Sequence, residues 1–371
     1  MKKVLFLIQD LGHGGAEKVL VNLVNNMDKS KYEVHVKTLF DTGVNRQYLR
    51  DDVNYIAGLK WQFKGNSHLF KHIPAKWLYK FFVKEKYDII VAYLEGSATR
   101  ILSGCTDKDT KRVAWLHIEV NKPKKSFISF KNIETAINAY KSFDKVVYVS
   151  QTVEDTFESV CGHKFDNGIV LYNTNETAQI IEKSKETIDD VVFDKDTVNI
   201  CSVAKIMYTK GYDRLVRIHK RLIEEGYKHH IYILGLGEDK EQLEKYLADN
   251  NLSDNFTFLG YRDNPYKYVA ACDLYVCSSR REGFSTAVTE SLIVGTPVVS
   301  TCCSGAYELL GYNNEYGIVT ENSEEGIYEG LKRMLDDPIL RQNYAAQAAI
   351  RGQKFSTEKT VAAVEEMFES L

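Results

Sequence analysis

Short apolar runs alternate with amphipathic stretches along the whole chain, and this alternation constrains the fold more than any other feature of the sequence. Runs such as Val4–Ile8 and Ile231–Leu234 are short and rich in β-branched residues, as in strands that are buried on both faces. The stretches between them carry apolar residues at three- and four-residue spacing, as in helices that cover a sheet. Strands that alternate with helices form βαβ units and parallel sheets. The sequence therefore predicts an α/β fold.

The alternation occurs in two series, which the polar and acidic segment Glu176–Asp196 separates. Because single hydrophobic cores stop growing at about 250–300 residues, a chain of 371 residues favours two domains. We predict a first domain over residues 1–176, to which a carboxyl-terminal helix at 357–371 crosses back, and a second domain over 177–356. Both are expected to be doubly wound Rossmann-like sheets whose ligand sites lie at the carboxyl ends of the strands and face a shared cleft.

The expected strands fall six to each series. Those of the first series are Val4–Ile8, Val34–Phe40, Asp88–Leu94, Val113–His117, Val146–Ser150 and Ile169–Tyr172. Those of the second series are Val198–Ala204, Ile231–Leu234, Phe256–Leu259, Leu274–Ser278, Pro297–Thr301 and Gly317–Val319.

Composition narrows the class of protein further. The net charge of −3 argues against a dedicated nucleic-acid binder, and no apolar run reaches the roughly 18 residues that a membrane span needs. The apolar run at the amino terminus stops at Gln9, which is too early for a signal peptide. The seven cysteines are scattered and fit neither a disulfide framework nor zinc-ligand spacing. These features predict a reduced, cytoplasmic protein.

Charge is unevenly distributed along the chain. Residues 1–180 carry a net charge of +6 and the remainder −9. The segment Lys60–Lys131, called the basic aromatic segment below, holds 15 Lys and Arg against 6 Asp and Glu, interleaved with aromatic residues. Such a mixture suits an anionic membrane surface. An ordinary helix at Lys76–Lys86, with one core face and one solvated basic face, explains it equally well.

A glycine-rich turn follows the first expected strand. It contains Gly12, Gly14 and Gly15 and leads into an expected helix over Lys18–Met27. Glycines let a backbone approach a ligand closely, and the free N–H groups of a following helix attract anions. A dinucleotide fingerprint is the rival interpretation, but its third glycine position is occupied here by Glu17, whose side chain crowds the packing of helix on strand. Contact with a phosphate or an acceptor is therefore favoured over NAD binding.

The stretch Cys277–Glu290 is the most informative part of the sequence. A strand ends near Ser279, a glycine turn follows, and Ser285 or Thr286 can cap a helix that runs to Val294. Glu282 then lies in the loop ahead of the helix and Glu290 about one turn inside it. A diphosphate fits the helix amino terminus, and carboxylates suit the hydroxyl groups of a sugar and a ribose.

The pair Glu282-x7-Glu290 in this context resembles the signature of the retaining glycosyltransferase family 4, whose members have the two-domain GT-B fold. Further matches follow in the order that such proteins show. They are Gly14–Glu17, His117, Ser202–Gly211, Gly235–Gly237, Leu259–Tyr261 and Cys272–Leu274. The resemblance is strong after residue 198 and weak between 41 and 110.

The resemblance implies roles for individual residues. Lys205 and Lys210 are similar to the two cations that hold the donor diphosphate, although Ala204-Lys205 stands where the family usually has Gly-Arg, so a planar fork is replaced by a point charge. Glu282 corresponds to the residue that contacts the donor sugar, and Glu290 to the one on the ribose. Donor contacts are further expected from Gly14, Gly15, Gly235, Tyr261, Phe284, Ser285 and Thr286, with 259–262 bordering the base.

His117 closes an expected strand and resembles the active-site histidine of the family. Glu119 is a weaker candidate for the same pocket, because the family usually has an acidic residue directly after the histidine and this chain has Ile118 there. No metal or other cofactor is expected. The two D-x-D matches, at 107–109 and 194–196, lie in polar loop or linker, and no His/Cys cluster has ligand spacing.

The resulting expectation is a metal-independent, retaining transferase that moves a hexose or N-acetylhexosamine from a nucleotide diphosphate sugar, UDP first among them. The acceptor is expected to be a glycan or a polyprenyl-diphosphate-linked glycan in capsule, exopolysaccharide or glycoconjugate assembly. The enzyme is expected in the cytoplasm, with the inner face of the cell membrane as a further site. A nucleotide-sugar epimerase of the same fold and an NAD-dependent oxidoreductase remain alternatives.

Overall fold

A computed structural model of the chain describes residues 1–12, 14–60, 66–120 and 127–371. It divides the chain into unit 1, which comprises residues 1–175 and 357–371, and unit 2, which comprises residues 176–356. Each unit is a parallel sheet with helices between successive strands. The predicted class, two doubly wound α/β units, is confirmed.

The sheet of unit 1 has seven parallel strands in the described residues, in the order β3-β2-β1-β4-β5-β6-β7. Its central strands β1 and β4 are buried along almost their whole length. The strands are β1 (Lys2–Ile8), β2 (Tyr32–Thr38), β3 (Asn54–Ile56), β4 (Ile89–Tyr93), β5 (Lys111–Leu116), β6 (Lys145–Tyr148) and β7 (Gly168–Val170).

The sheet of unit 2 has six parallel strands, in the order β10-β9-β8-β11-β12-β13. They are β8 (Val198–Val203), β9 (His229–Leu234), β10 (Phe256–Gly260), β11 (Leu274–Cys277), β12 (Val298–Thr301) and β13 (Ile318–Thr320). The side chains of Ile200, Ile233 and Val276 on these strands pack with those of Leu215 and Leu331 on the covering helices in one buried core.

Helices connect the strands in both units. Those described in unit 1 are Gly15–Asn26, Asn66–Phe70, Ala75–Phe82, Ser97–Leu102, Ile133–Lys141, Gln151–Cys161 and Thr357–Glu369. Those of unit 2 are Thr177–Ser184, Tyr212–Glu224, Lys240–Asp249, Tyr266–Ala271, Thr286–Val294, Ala306–Leu310, Glu324–Asp336 and Pro338–Gly352. Short 3-10 turns lie at Val44–Tyr48, Tyr208–Lys210, Ser253–Asn255 and Gln353–Phe355.

The carboxyl-terminal helix Thr357–Glu369 packs on unit 1. Phe368 is fully buried, and its ring lies 6.2 Å from that of Phe6 and 5.9 Å from that of Tyr32. The Lys2 ammonium donates to the carbonyl of Phe368 at 2.9 Å. The last helix of the chain therefore completes the core that the first strand begins.

One strand was missed, and the bounds of the helices expected at Lys18–Met27 and Lys76–Lys86 were wrong. Strand β3 was missed because Asn54–Ile56 is a three-residue edge strand, too short for an apolar run or an alternation. The helix expected at Lys76–Lys86 runs instead over Ala75–Phe82, since Val83 is buried and its backbone is extended, with φ −108° and ψ 109°. Burial of this β-branched residue outweighs continuation of the helix.

The cysteines and the helix lengths can be stated for the described residues. All seven cysteines are described, and all are free thiols. No helix in the described ranges is long and apolar enough to cross a bilayer.

Candidate functional site

Each sheet has one point at which the order of its strands reverses. In unit 1 it lies between β1 and β4, and in unit 2 between β8 and β11. Ligands of doubly wound sheets bind in the crevice that the loops form at the carboxyl ends of such strands. In unit 2 these loops are 204–211 and 278–285. They carry five of the site residues expected from the sequence, namely Lys205, Lys210, Glu282, Phe284 and Ser285.

Lys210 and Glu282 meet at the reversal point of unit 2. The Lys210 ammonium lies 2.7 Å from Glu282 Oε1, and the hydroxyl of Ser279 donates to the same oxygen at 2.6 Å. Burial by itself would lower the pKa of Lys210, but the adjacent carboxylate of Glu282 more than offsets it and raises that pKa above the ordinary value. The lysine therefore keeps its charge in a partly buried position.

Gly211 lets the two loops approach each other. Its φ of 72° is in the left-handed region, and a Cβ at this position would collide with the carbonyl oxygen of Ser278. The Ser278 hydroxyl in turn donates to the carbonyl of Lys210 at 2.9 Å. Glycine is required here because backbone contacts backbone.

Lys205 lies on the other side of the same β8 loop and is exposed. No carboxylate pairs with it in the described part of the chain. The amide of Ile206 donates to the carbonyl of Leu236 at 2.9 Å, and that of Gly235 to the carbonyl of Gly260 at 2.8 Å. The loops after β8, β9 and β10 are therefore joined, which places Lys205, Gly235 and the exposed Tyr261 along one edge of the sheet.

The helix Thr286–Val294 has the expected cap. The Ser285 hydroxyl accepts from the amide of Val288 at 3.4 Å, so the predicted helix start and its end at Val294 are confirmed. Phe284 is buried against Gly305, and its backbone and that of Thr286 lie at the start of the helix. Glu290 is only 7% exposed, and the Tyr266 hydroxyl lies 3.5 Å from its Oε1.

In unit 1, Gly14 is the residue before the helix Gly15–Asn26 and has an extended backbone. The helix begins three residues earlier than expected. The carboxylate of Glu17 lies against Gly14, where a Cβ would collide with it. A negative group therefore stands at the third position of the would-be dinucleotide fingerprint, while Gly15 is exposed. His13 lies outside the described residues.

His117 directly follows β5. Its ring centroid is 4.4 Å from that of Tyr93, and its backbone amide donates to Glu95 Oε2 at 3.2 Å. Its Nε2 is buried and has no hydrogen-bond partner among the described residues. Burial lowers the pKa of His117 to about 3, so the imidazole is neutral at physiological pH. A neutral imidazole can accept a proton or a hydrogen bond from a hydroxyl.

Glu95 is a site candidate that the sequence interpretation missed. It lies in the loop after β4, on the other side of the reversal point from Gly14, and the preceding Leu94 has an unusual φ of 91°. A non-glycine residue with positive φ marks a loop whose conformation the surroundings impose. The available signal was an acidic residue directly after an apolar run. Glu119, the weaker candidate, is half-buried in the loop after β5.

The remaining acidic matches lie away from these loops. Asp107 and Asp109 pair with Lys86 at 3.2 and 3.3 Å, and Asp194 accepts from the hydroxyl of Thr197 at 2.8 Å. Within residues 1–12, 14–60, 66–120 and 127–371, no group of three His, Cys, Asp or Glu side chains is arranged to hold a metal ion.

Comparison with known proteins adds two family models. Residues 13–178 match the model described as Glycosyltransferase Family 4, and residues 183–351 match the model described as Glycosyl transferases group 1. Between them, the two models cover nearly all of both units.

Individual relatives agree with these models. A Campylobacter jejuni N-acetylgalactosamine-N,N'-diacetylbacillosaminyl-diphospho-undecaprenol 4-alpha-N-acetylgalactosaminyltransferase is 29% identical over 97% of each chain. The lipopolysaccharide core biosynthesis glycosyltransferase LpsE of Rhizobium meliloti is 27% identical over 47% of this chain and 50% of its own. The solved structure of Anabaena HepE in complex with UDP covers 100% of both chains, with a TM-score of 0.76 at 20% identity.

Proposed function

This chain belongs to glycosyltransferase family 4 and has the GT-B fold, and from that premise we propose that it is a retaining hexosyltransferase. It moves a hexose or N-acetylhexosamine from a UDP-sugar to a glycan or lipid-linked glycan during cell-surface polysaccharide or glycoconjugate assembly. The Campylobacter relative, whose name specifies an N-acetylgalactosaminyl group and a diphospho-undecaprenol acceptor, supports the substrate class. HepE was solved in complex with UDP, which supports uracil as the base of the donor nucleotide.

The observation that carries the proposal is the Lys210–Glu282 pair at the reversal point of unit 2. A donor diphosphate attracts the Lys210 ammonium, and the Glu282 carboxylate accepts hydrogen bonds from sugar hydroxyls. Lys205, on the joined loop beside it, adds a second cation. The amides of residues 284–286 add the positive end of a helix to the same edge.

The reaction breaks the bond between the anomeric carbon and the β-phosphate oxygen, and the bonding electron pair goes to that oxygen. The acceptor hydroxyl oxygen bonds to the anomeric carbon on the face that the phosphate leaves, and its proton passes to the departing phosphate. Configuration is thereby retained. Catalysis consists mainly of stabilising the charge that builds on the β-phosphate. We assign this to Lys205, Lys210, the Gly14 and Gly15 amides and the helix start at Ser285, with Glu290 on the ribose and Tyr261 beside the base.

Unit 1 is proposed to bind the acceptor through His117. The neutral imidazole has one nitrogen without a proton, which can accept a hydrogen bond from the attacking hydroxyl.

A donor panel tests the activity. The protein is incubated with UDP-, GDP- and ADP-sugars and a membrane lipid extract as acceptor, and nucleotide release and products are measured. We expect release from a UDP-sugar that depends on the extract, with an α-linked product from an α-linked donor by NMR. A C2-epimerised sugar nucleotide formed without acceptor would identify an epimerase instead. Absence of nucleotide release with every donor would contradict the proposal. A Glu282→Ala variant serves as the inactive control.

The proposed mechanism uses lysines and backbone amides and no divalent cation. Activity is therefore expected to persist within about twofold after dialysis against EDTA. Loss of activity that added Mg²⁺ or Mn²⁺ restores would show that a metal takes part.

The basic aromatic segment supports a peripheral position at the inner face of the cell membrane. In its described part, the helix Ala75–Phe82 buries Leu78 and Phe82 but leaves Trp77 71% and Phe81 57% exposed. Three exposed lysines flank these two rings, namely Lys76, Lys80 and Lys84. Aromatic rings insert at headgroup level, and each cation near an anionic surface contributes about 1 kcal/mol. Trp61, Phe63 and Lys122–Lys125 belong to the same segment but lie outside the described residues.

Vesicle flotation tests this position. The protein is expected to float with vesicles of phosphatidylglycerol and phosphatidylcholine and to stay behind with phosphatidylcholine alone. The double substitution Trp77→Ser with Phe81→Ser should lower the bound fraction several-fold. The matched control is Ile339→Ser, which removes an equally exposed side chain of unit 2. Equal flotation with neutral and anionic vesicles would contradict the membrane proposal and leave the transfer reaction untouched.

A further inference from the structure

Two segments far apart in the sequence are tied together at the donor edge of unit 2. One is the 3-10 turn Tyr208–Lys210, and the other is the loop Ser278–Glu282. The backbone amide of Arg280 donates to the carbonyl of Thr209 at 2.8 Å, and the Ser278 hydroxyl donates to that of Lys210 at 2.9 Å. These two hydrogen bonds join the two segments directly.

The Arg280 side chain closes this contact. Its Nη1 and Nη2 donate to the two carboxylate oxygens of Asp213 at 2.6 and 2.7 Å, a bidentate pair. Nη1 also donates to the carbonyl of Tyr208 at 2.7 Å, and the guanidinium carbon lies 4.0 Å from the centroid of the Tyr208 ring. Two nitrogens of the planar fork are thus engaged with protein groups, which sets Arg280 apart from a phosphate ligand.

Asp213 is built to hold this arginine. It lies in the first turn of the helix Tyr212–Glu224, directly after the Gly211 contact. Burial by itself would raise the pKa of Asp213, but hydrogen bonds from Arg280 and Arg217, with their charges, hold that pKa below its usual range. Arg217 makes the longer contact, at 3.3 Å, and itself bonds Glu324 at 2.8 Å. The partly buried Arg280 is therefore the main partner of the carboxylate.

The Arg280–Asp213 pair, called the clamp below, lies close in the chain to both Lys210 and Glu282. Lys210 follows Thr209 directly, and Glu282 lies two residues after Arg280. Their ion pair spans the two segments, so its geometry depends on the spacing that Arg280 and Asp213 impose. A displacement of about 1 Å at a reacting group can cost roughly 100-fold in rate.

We propose that Arg280, clamped to Asp213 and stacked on Tyr208, is the positioning residue that holds Lys210 and Glu282 at the spacing needed by the donor diphosphate and sugar. The inference rests on the proposed transfer from a nucleotide sugar. It adds a residue pair that contacts neither phosphate nor sugar in that reaction and acts through the two segments.

Two measurements on the full-length protein test the clamp. The first is hydrogen–deuterium exchange without substrate. In Arg280→Met and in Asp213→Asn, amides of 208–211 and of 279–283 should exchange faster together, while the remainder of unit 2 stays unchanged. Arg217→Met, which removes the other arginine on Asp213, should leave both segments as they are. Unchanged exchange in the Arg280→Met segments would overturn the proposal, whatever the activity of the enzyme.

The second measurement is donor kinetics at saturating acceptor. Arg280→Met should lower kcat by about 10- to 100-fold with a smaller change in donor KM, because the reacting geometry is lost more than the binding surface. Arg280→Lys keeps the charge without the fork, so it should recover less than a tenth of the lost kcat. The double variant Arg280→Met with Asp213→Asn should have the kcat of the slower single variant and no less, since both substitutions break the same Arg280–Asp213 pair.

The outcomes separate the two proposals. A wild-type protein that releases no nucleotide with any donor would refute the transferase, while the exchange experiment would still decide the clamp. Active wild type with Arg280→Met kinetics within twofold, or Arg280→Lys equal to wild type, would refute the clamp alone. If Arg280→Met does not fold, Asp213→Asn and Arg280→Lys carry the same comparison.

Discussion

The carboxyl edges of the two sheets treat their polar groups in opposite ways. In unit 2, Lys210, Glu282 and Ser279 are bonded to one another. In unit 1, the hydroxyl of Tyr93, the indole N–H of Trp115 and Nε2 of His117 are buried, and the described residues offer them no hydrogen-bond partner. The three rings of unit 1 lie against each other, with centroids 4.4 to 6.0 Å apart.

This difference separates two ways of preparing a site. Bonded charges are preorganised, so they need little rearrangement when negative charge develops on a ligand. Buried groups without partners cost about 1–3 kcal/mol each, and native proteins contain only a few of them. In our proposal the bonded charges of unit 2 stabilise charge on a ligand, whereas the polar atoms of unit 1 contribute no such preorganised charge.

The largest expected effect comes from breaking the Lys210–Glu282 ion pair of unit 2. Lys210→Met removes the cation and leaves Glu282 as an unpaired, partly buried carboxylate, which repels a diphosphate. We expect turnover to fall about 1,000-fold, measured as nucleotide release at saturating donor. Lys210→Arg keeps the charge and should retain at least a tenth of the activity. Turnover of Lys210→Met within tenfold of wild type would show that the Lys210–Glu282 ion pair is not needed for the reaction.

The next largest effect is expected at His117 in unit 1. His117→Phe keeps a ring against Tyr93 but removes both nitrogens, so kcat/KM for the acceptor should fall about 100-fold while donor KM is unchanged. Because burial lowers the pKa of His117 to about 3, the wild-type acceptor profile should lack a histidine limb between pH 5 and 8. A rise in donor KM as large as the fall in kcat/KM for the acceptor would show that His117 does not act on the acceptor alone.

Acid should affect unit 2 more than unit 1. His219 and His229 are fully buried, 2.8 Å apart, and burial lowers their pKa values to about 3 and about 4. The unfolded state, with pKa near 6.5, then binds more protons, so stability is full above pH 6.5 and falls as the pH drops toward 4. Among the described residues of unit 1, His117 is the one histidine whose pKa burial lowers to a comparable extent. Between pH 6.5 and 5.0, unit 2 should lose about 2 kcal/mol more.

Native-state hydrogen exchange at the two pH values reads both units in one sample. His229→Gln should flatten the pH dependence of unit 2, and the exposed His163→Gln of unit 1 is the matched control. Equal acid sensitivity in the two units would contradict the assignment of this loss to the buried histidine pair.

The smallest effects should differ in sign between the edges. Tyr93→Phe deletes a buried hydroxyl that the described residues leave unpaired, so the free energy of unfolding should stay level or rise by up to about 1 kcal/mol. Ser279→Ala removes a hydroxyl that donates a hydrogen bond to Glu282, so the free energy of unfolding should fall by about 1 kcal/mol. Urea denaturation measures both. A loss of stability in Tyr93→Phe as large as in Ser279→Ala would contradict the proposed difference between the two hydroxyl groups.

The elements were predictable where the sequence signal is local. Apolar runs identified most strands, and the serine before the helix Thr286–Val294 identified its start. The edge strand Asn54–Ile56 and the end of the helix Ala75–Phe82 escaped, because an edge strand buries little and the burial of Val83 is a tertiary effect.

The sequence singled out candidate site residues one by one, but the contacts between them could not be predicted. Lys210 and Glu282 are 72 positions apart, Arg280 and Asp213 are 67 apart, and Glu95 and His117 are 22 apart. No spacing rule links such positions, since only the parallel sheet brings their loops to one edge. The roles of Lys210, Glu282 and His117, like those of Glu290, Lys205 and the glycines, stay predictions.

The carboxyl-terminal helix has a consequence for synthesis of the chain. All of unit 2 leaves the ribosome before residues 357–371 do, and Phe368 belongs between Phe6 and Tyr32. Until translation reaches that point, the nascent unit 1 exposes the apolar face that Phe368 will cover, although its first strand was made earliest. The unit that starts first is the one that closes last, and chaperones would meet it in that interval.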